Sequence, residues 1–162
     1  MWRIMAVIGG VSGAAGMSQF PEFSQQYLQR LAGKVDALTA VVADFDASAA
    51  RNGLTREVAL AELTGTAFLA DRQIDTRRSM SDLDRLSADL DQLRNATPLE
   101  RLTMPQRLGD PETLAAVWSD FRPAIPATLD GAVSAGVGYM AGWGLFAGLW
   151  SLLAWPFRRR MS

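Results

Sequence analysis

Apolar residues crowd the two ends of this chain and thin out between them. From Gly131 to Phe157 no residue is charged, and at about 1.5 Å per residue a helix over that stretch is roughly 40 Å long, more than the ~30 Å hydrocarbon layer of a bilayer. A tilted membrane span is predicted there. From Ile4 to Phe20 the chain is again uncharged, but this run is shorter and rich in glycine and alanine, so its hydropathy alone is marginal for a span. The same residues also allow a secretory-signal reading, with Met1 to Arg3 as the positive region, Ile4 to Val11 as the apolar core and Gly13 to Gly16 as the cleavage zone. No clean A-x-A triplet is present, and a helix can continue into the segment after Pro21, so an uncleaved anchor is the expectation.

Between the ends the period changes. Leu28, Leu31, Val35, Leu38, Val42 and Phe45 recur at steps of three and four, the spacing of a helix with a narrow apolar seam. A helix is predicted from Pro21 to Arg51, stopped by Asn52 and Gly53, with Thr55 as the cap of the next. No proline occurs from Arg56 to Arg94, and Leu83, Leu86, Leu90 and Leu93 repeat the same steps. One long second helix, polar around Asp71 to Arg78, is therefore predicted to fold back on the first. Thr97-Pro98-Leu99-Glu100 reads as a capping box, and Asp110-Pro111-Glu112 as a cap with proline at the first helical position. The helix after Asp110 would carry Leu114, Val117, Trp118 and Phe121 on one face, ahead of Pro123 and Pro126. That face would rest in the membrane interface or cap the hairpin.

The expected fold is all-α: two transmembrane helices, N- and C-terminal, flanking an extramembrane antiparallel helical hairpin with short extra helices. In segments, residues 1–20 form the first anchor, 21–128 a periplasmic coiled-coil-like region, 129–157 the C-terminal span and 158–162 a cytoplasmic basic tail. Arg158, Arg159 and Arg160 set the orientation by the positive-inside rule, and Arg3 holds the N-terminus on the same side. Trp118, Phe121 and Trp155 are expected interface anchors beside those arginines, with Trp155 read as part of an interface belt rather than of a stripe with Trp143 and Trp150.

Composition then narrows the chemistry. The 162 residues include 16 Lys and Arg against 17 Asp and Glu, with neither histidine nor cysteine. Thiolate metal sites, cysteine nucleophiles, Ser-His-Asp triads and HExxH zinc sites are excluded. The middle lacks the basic face of a nucleic-acid binder. Gly136 to Ala141 and Gly142 to Ala147 both match a dinucleotide-binding pattern, but each lies inside an apolar helix and follows no strand. The pairs Asp44/Asp46, Asp82/Asp84 and Asp89/Asp91 point to different helix faces and read as solvated surface. Asp130 suits the start of the last span. No catalytic residue, cofactor, metal or small-molecule substrate is expected.

Small residues four apart stand out instead. Gly9 with Gly13, Ser134 with Gly138, Gly138 with Gly142, and Gly144 with Gly148 let helix backbones approach closely in lipid. The partner could be the other span, a second copy or another protein.

The run Gln19-Phe20-Pro21-Glu22-Phe23, then Gln26-Tyr27-Leu28-Gln29-Arg30-Leu31 and Gly33, with Phe121-Arg122-Pro123-Ala124 before a glycine-rich span, resembles a bacterial family known only as a domain of unknown function, number 2937. The resemblance covers nearly the whole chain. It implies a short anchor, a periplasmic helical region and a C-terminal span in a bacterial inner membrane, with no assigned activity, cofactor or partner. Two functions remain in play. One is a non-catalytic accessory or scaffold subunit that packs in the bilayer beside a larger membrane complex. The other is a self-associating membrane protein, a homo-oligomeric channel or membrane organiser.

Overall fold

The computed structural model describes residues 2–123 and 128–158, apart from the side chains of Trp2 and residues 154–158. The described residues form α-helices and one 3₁₀ turn joined by short links, and no strand occurs among them. The order is α1 (Trp2–Met17), α2 (Phe20–Arg51), α3 (Arg56–Glu62), α4 (Ala67–Asn95), α5 (Pro98–Arg101), a 3₁₀ turn (Pro105–Leu108), α6 (Pro111–Asp120) and α7 (Leu129–Arg158).

The end of α2 is fixed by glycine stereochemistry. Gly53 has φ +70°, its amide donates to the carbonyl of Ala50, and the Leu54 amide donates back to Ala49. This is the paired bonding of a Schellman stop, which satisfies carbonyls that the helix leaves open. Thr55 then caps α3, its hydroxyl accepting from the Val58 amide.

The predicted second helix is not continuous. It divides into α3 and α4 at Leu63 to Thr66, where Gly65 takes φ +95° and Thr66 starts α4 by accepting from the Leu69 amide. The Gln73 side chain donates to the carbonyl of Leu60 at 2.6 Å, covering an acceptor at the open end of α3. Arg77 pairs with Glu57 at 3.2 Å. The lack of proline does not make a helix continuous; a glycine followed by a threonine cap is sufficient punctuation.

Contacts divide the chain into two compact units that cut across the linear segments expected from the sequence. One comprises Met1–Gln26, Thr97–Met104 and Trp118–Ser162; the other comprises Tyr27–Ala96 and Pro105–Val117. The second unit has a core of Tyr27, Leu28, Leu31, Val35 and Val42 from α2, Leu60 from α3, and Leu86, Leu90 and Leu93 from α4, all buried. Seven of these nine belong to the two apolar stripes read from the sequence. Leu38 and Phe45 are only half-buried.

In the first unit, the capping box of α5 forms as spaced. Glu100 accepts from the Thr97 amide at 2.8 Å, and the Thr97 hydroxyl accepts from the Glu100 amide at 3.3 Å. Within α7, Leu129–Leu153 is long and apolar enough to cross a membrane, and only 11% of its most apolar window is buried. α1, with 16 residues, spans about 24 Å by itself. Of the expected basic cluster, Arg159 and Arg160 lie outside the described residues, as do Pro126 and the side chains of Trp155 and Arg158.

Gly53 gives a direct test of the helix stop. Gly53→Ala places a Cβ in the left-handed region, at a cost of about 1–2 kcal/mol. The full chain in detergent should show a correspondingly lower midpoint when helix loss is followed by circular dichroism during chemical unfolding.

Candidate functional site

Two places in the chain hold side chains or backbone in arrangements that local structure alone does not require. The first is the crossing of α1 and α7, both within the first unit. The Gly13 Cα carries no side chain because the carbonyl of Gly138 occupies the space a Cβ would take, and the reverse holds for Gly138 against Gly13. Gly142 meets the carbonyl of Gly9 in the same way, and the Met17 Cβ lies 2.6 Å from where a Gly138 Cβ would be. The Phe146 ring fills the space over Gly9, and the Tyr139 ring that over Gly10. Along α1 from Gly9 to Met17 the partners descend from Phe146 to Gly138, so the two helices run antiparallel.

Six glycines were expected to pack. The structure brings Gly9, Gly13, Gly138 and Gly142 together at this crossing. It leaves Gly144 and Gly148 apart from it: a Cβ on either would meet nothing within 4 Å. Gly136 is equally open. At about 100° per residue, Gly144 lies roughly 240° round the helix from Gly138, so α7 presents one glycine face to α1 and another away from it. Ser134 lies on the inner face, fully buried, and its hydroxyl has no partner among the described residues. Outside the crossing the pair is apolar and open, with Ile4, Ile8 and Val11 of α1 and Leu145, Leu149 and Leu152 of α7 all exposed.

Trp118 and Phe121 join this unit through aromatic contacts. Both pack edge-on against Phe23, with ring centroids 6.1 Å and 5.7 Å away, a geometry suited to the ring quadrupoles. The expected single apolar face of α6 is corrected. Val117 is buried together with Thr113, whereas Leu114 and Trp118 are exposed, Trp118 by 75%. The two stripes are one residue, about 100°, apart round the helix, and the buried one also carries the cap residue Asp110.

The second place is a cluster of charge in the other unit. Asp110 is buried, with its carboxylate accepting from the Thr113 amide at 3.0 Å and the Thr113 hydroxyl at 2.7 Å. The Lys34 ammonium reaches it at 2.9 Å and Glu112 at 2.8 Å. Arg85 approaches Asp110 at 3.4 Å and Asp82 at 3.0 Å. The backbone amide of Asp110 donates to the Tyr27 hydroxyl, on a side chain with no exposure. Burial pushes the Asp110 carboxyl upward, but the hydrogen bonds from Thr113 and Lys34, with the Lys34 charge, outweigh it and hold the group well below the usual carboxylate range. Burial also raises the Tyr27 hydroxyl.

The reading of Asp89 as solvated surface is likewise corrected. It is buried and pairs with Arg107 at 2.6 Å. α2, α4 and the segment from Pro105 to Val117 thus meet through α2 Lys34 and Tyr27, α4 Arg85 and Asp89, and Arg107 and Asp110. Only the Asp110 cap was visible in sequence; its partners are far away along the chain and carry no spacing signal. No group of three or more potential metal ligands gathers among the described residues.

The model of a protein family, described as a protein of unknown function (DUF2937), matches residues 1–159. No curated protein matches the chain, and no solved structure does.

Both places make predictions. Gly138→Leu drives a side chain into the α1 backbone, an overpacking that costs about 1–3 kcal/mol, whereas Gly136→Leu enters open space. In mixed micelles titrated with SDS, the first variant should lose structure at a lower SDS fraction and the second should match the parent. For Asp110, the folded-state pKa is depressed, so its stabilisation is present above the unfolded value of about 3.9 and is lost as pH falls toward the folded value. The parent should therefore exceed Asp110→Asn in unfolding midpoint by a constant margin above about pH 5, and that margin should shrink below about pH 4.

Proposed function

The chain belongs to the DUF2937 family of proteins of unknown function, and we propose that it serves as a non-catalytic accessory or scaffold subunit of a larger bacterial inner-membrane complex. In this reading α1 and α7 cross the bilayer as an antiparallel pair. Both termini are cytoplasmic, held there by Arg3 and by Arg158, Arg159 and Arg160. The residues between the spans are periplasmic. α1 alone is short for the hydrocarbon layer, but after the two-residue turn at Ser18 and Gln19, Phe20 and Phe23 at the start of α2 continue its apolar character.

The observation that carries the reading is the division of glycines on α7. Gly138 and Gly142 are consumed by α1, while Gly136, Gly144 and Gly148 lie open on a different face. Lipid tails are as apolar as leucine, so close backbone approach is what drives helices together in a bilayer. An open glycine face on a helix that already has one partner suits a second. The low burial of the span supports a lipid environment too, since the core helix of a water-soluble protein would be mostly covered.

The self-associating alternative would use the same open face to pair copies of the chain. A pore is the less favoured form of it. Ser151, the polar side chain within reach of that face, already donates to the carbonyl of Gly148, which leaves little to line a water-filled path.

The face can be tested without touching the internal crossing. A tagged chain carrying Gly144→Leu and Gly148→Leu should enter the membrane and keep its stability in detergent. In gentle-detergent purification with mass-spectrometric identification, it should lose the proteins that accompany the parent in stoichiometric amount. If the parent brings down no other protein and runs as discrete multiples of itself that the double variant abolishes, the self-associating reading replaces this one. A parent that is monomeric and alone would dispose of both.

A further inference from the structure

We propose that an apolar groove at the foot of α1 holds an acyl chain of a bilayer phospholipid. The inference rests on the membrane reading above and adds a specific ligand to it. The groove encloses about 510 Å³ and is lined by Gly16 and Met17 of α1, Phe20 and Phe23 of α2, and Trp118 and Phe121, among others. That volume lies in the roughly 300–1,000 Å³ range of sites that enclose small organic molecules.

Four features select a hydrocarbon chain as the occupant. The first is the lining. Gln19 is its one polar side chain, and the Gln19 amide already donates to the Ser18 hydroxyl at 3.0 Å. A protein segment entering here would bring backbone N–H and C=O groups that need partners the wall does not supply. A hydrocarbon chain has no such groups.

The second is depth. Met17 packs against Gly138, nine residues and about 14 Å along α7 from Leu129. The groove beside Met17 therefore opens within the length of the 25-residue apolar stretch, at the level of lipid tails. The third is the setting, because the unit that carries the groove exposes Ile4, Ile8 and Val11 of α1, an apolar surface of the kind that lipid tails cover. The fourth is charge. Glu22, between Phe20 and Phe23, and Arg122, next to Phe121, are both exposed, so charges of both signs flank the lining residues along the chain. A zwitterionic phospholipid has the matching pattern of tail and headgroup. Trp118, left 75% exposed by the protein itself, would be covered by such a chain.

Gly16 provides a clean way to block the groove, because a Cβ there meets nothing within 4 Å. The full chain would be reconstituted into phosphatidylethanolamine vesicles containing a trace of the same lipid with a diazirine in its acyl chain. After irradiation, labelled residues would be mapped by mass spectrometry. Labelling at Phe20, Phe23, Trp118 and Phe121 is expected to exceed that at Leu145 and Leu149 several-fold. Gly16→Leu should remove the excess and leave Leu145 and Leu149 labelled as before. Trp118→Ala, which strips one wall from an exposed position, should lower groove labelling as well and serves if Gly16→Leu fails to fold.

Groove labelling no stronger than that of Leu145 and Leu149, or unchanged in both variants, overturns the inference while leaving the membrane reading intact. Absence of label at Leu145 and Leu149 as well overturns the membrane reading. A photoreactive benzoylphenylalanine at Phe121 that captures a second copy or another protein, rather than lipid, assigns the groove to that occupant and also overturns the inference.

Discussion

The contact between the backbones of α1 and α7 is the constraint on which the first unit depends. Four glycines bring carbonyl oxygens to within reach of the opposing Cα atoms, and any side chain at Gly13, Gly138 or Gly142 would occupy space already filled by backbone. In water such an interface would contribute little, because it buries hardly any apolar side chain. In hydrocarbon the balance reverses. Burying more leucine gains nothing there, and dense van der Waals contact is the favourable term that remains. The open leucines and isoleucines around the pair are consistent with that solvent.

The second unit is held by different physics. Its leucine core is that of an ordinary helical domain, but the segment from Pro105 to Val117 is attached through buried charge. A carboxylate with as little exposure as that of Asp110 is costly to desolvate, and it is offset by a cap, a hydroxyl and two cations. Such a network tolerates few alternatives. Loss of a cation leaves the carboxylate buried with fewer partners, so the segment has one favourable seat and a strong penalty for leaving it.

What the sequence made legible was local. The stop at Gly53, the caps at Thr55, Thr97 and Asp110, and the leucine stripes of α2 and α4 are all set by residues a few positions apart, and each appears within a residue or two of its expected place. The break at Gly65 carries its own local signal, a glycine between two threonines, which the absence of proline from Arg56 to Arg94 does not cancel. Small-residue spacing showed that helices would pack but not which glycines would meet. Gly138 and Gly144 have equivalent neighbours in sequence and differ only in the side of α7 they occupy. The partners of Asp89 and Asp110 had no signal, since an ion pair closed across tens of residues leaves no period behind.

The crossing of α1 with α7 also has a consequence for how the protein is made. Its two halves are α1 and α7, so residues 18 to 128 must all be synthesised before either glycine face meets its counterpart. Closing so long a loop costs entropy, which contacts such as those of Tyr27 and Lys34 with Asp110 lower by shortening it first, and the crossing is the most non-local helix contact among the described residues. Until α7 emerges, α1 is a short, weakly apolar helix with its glycine face bare.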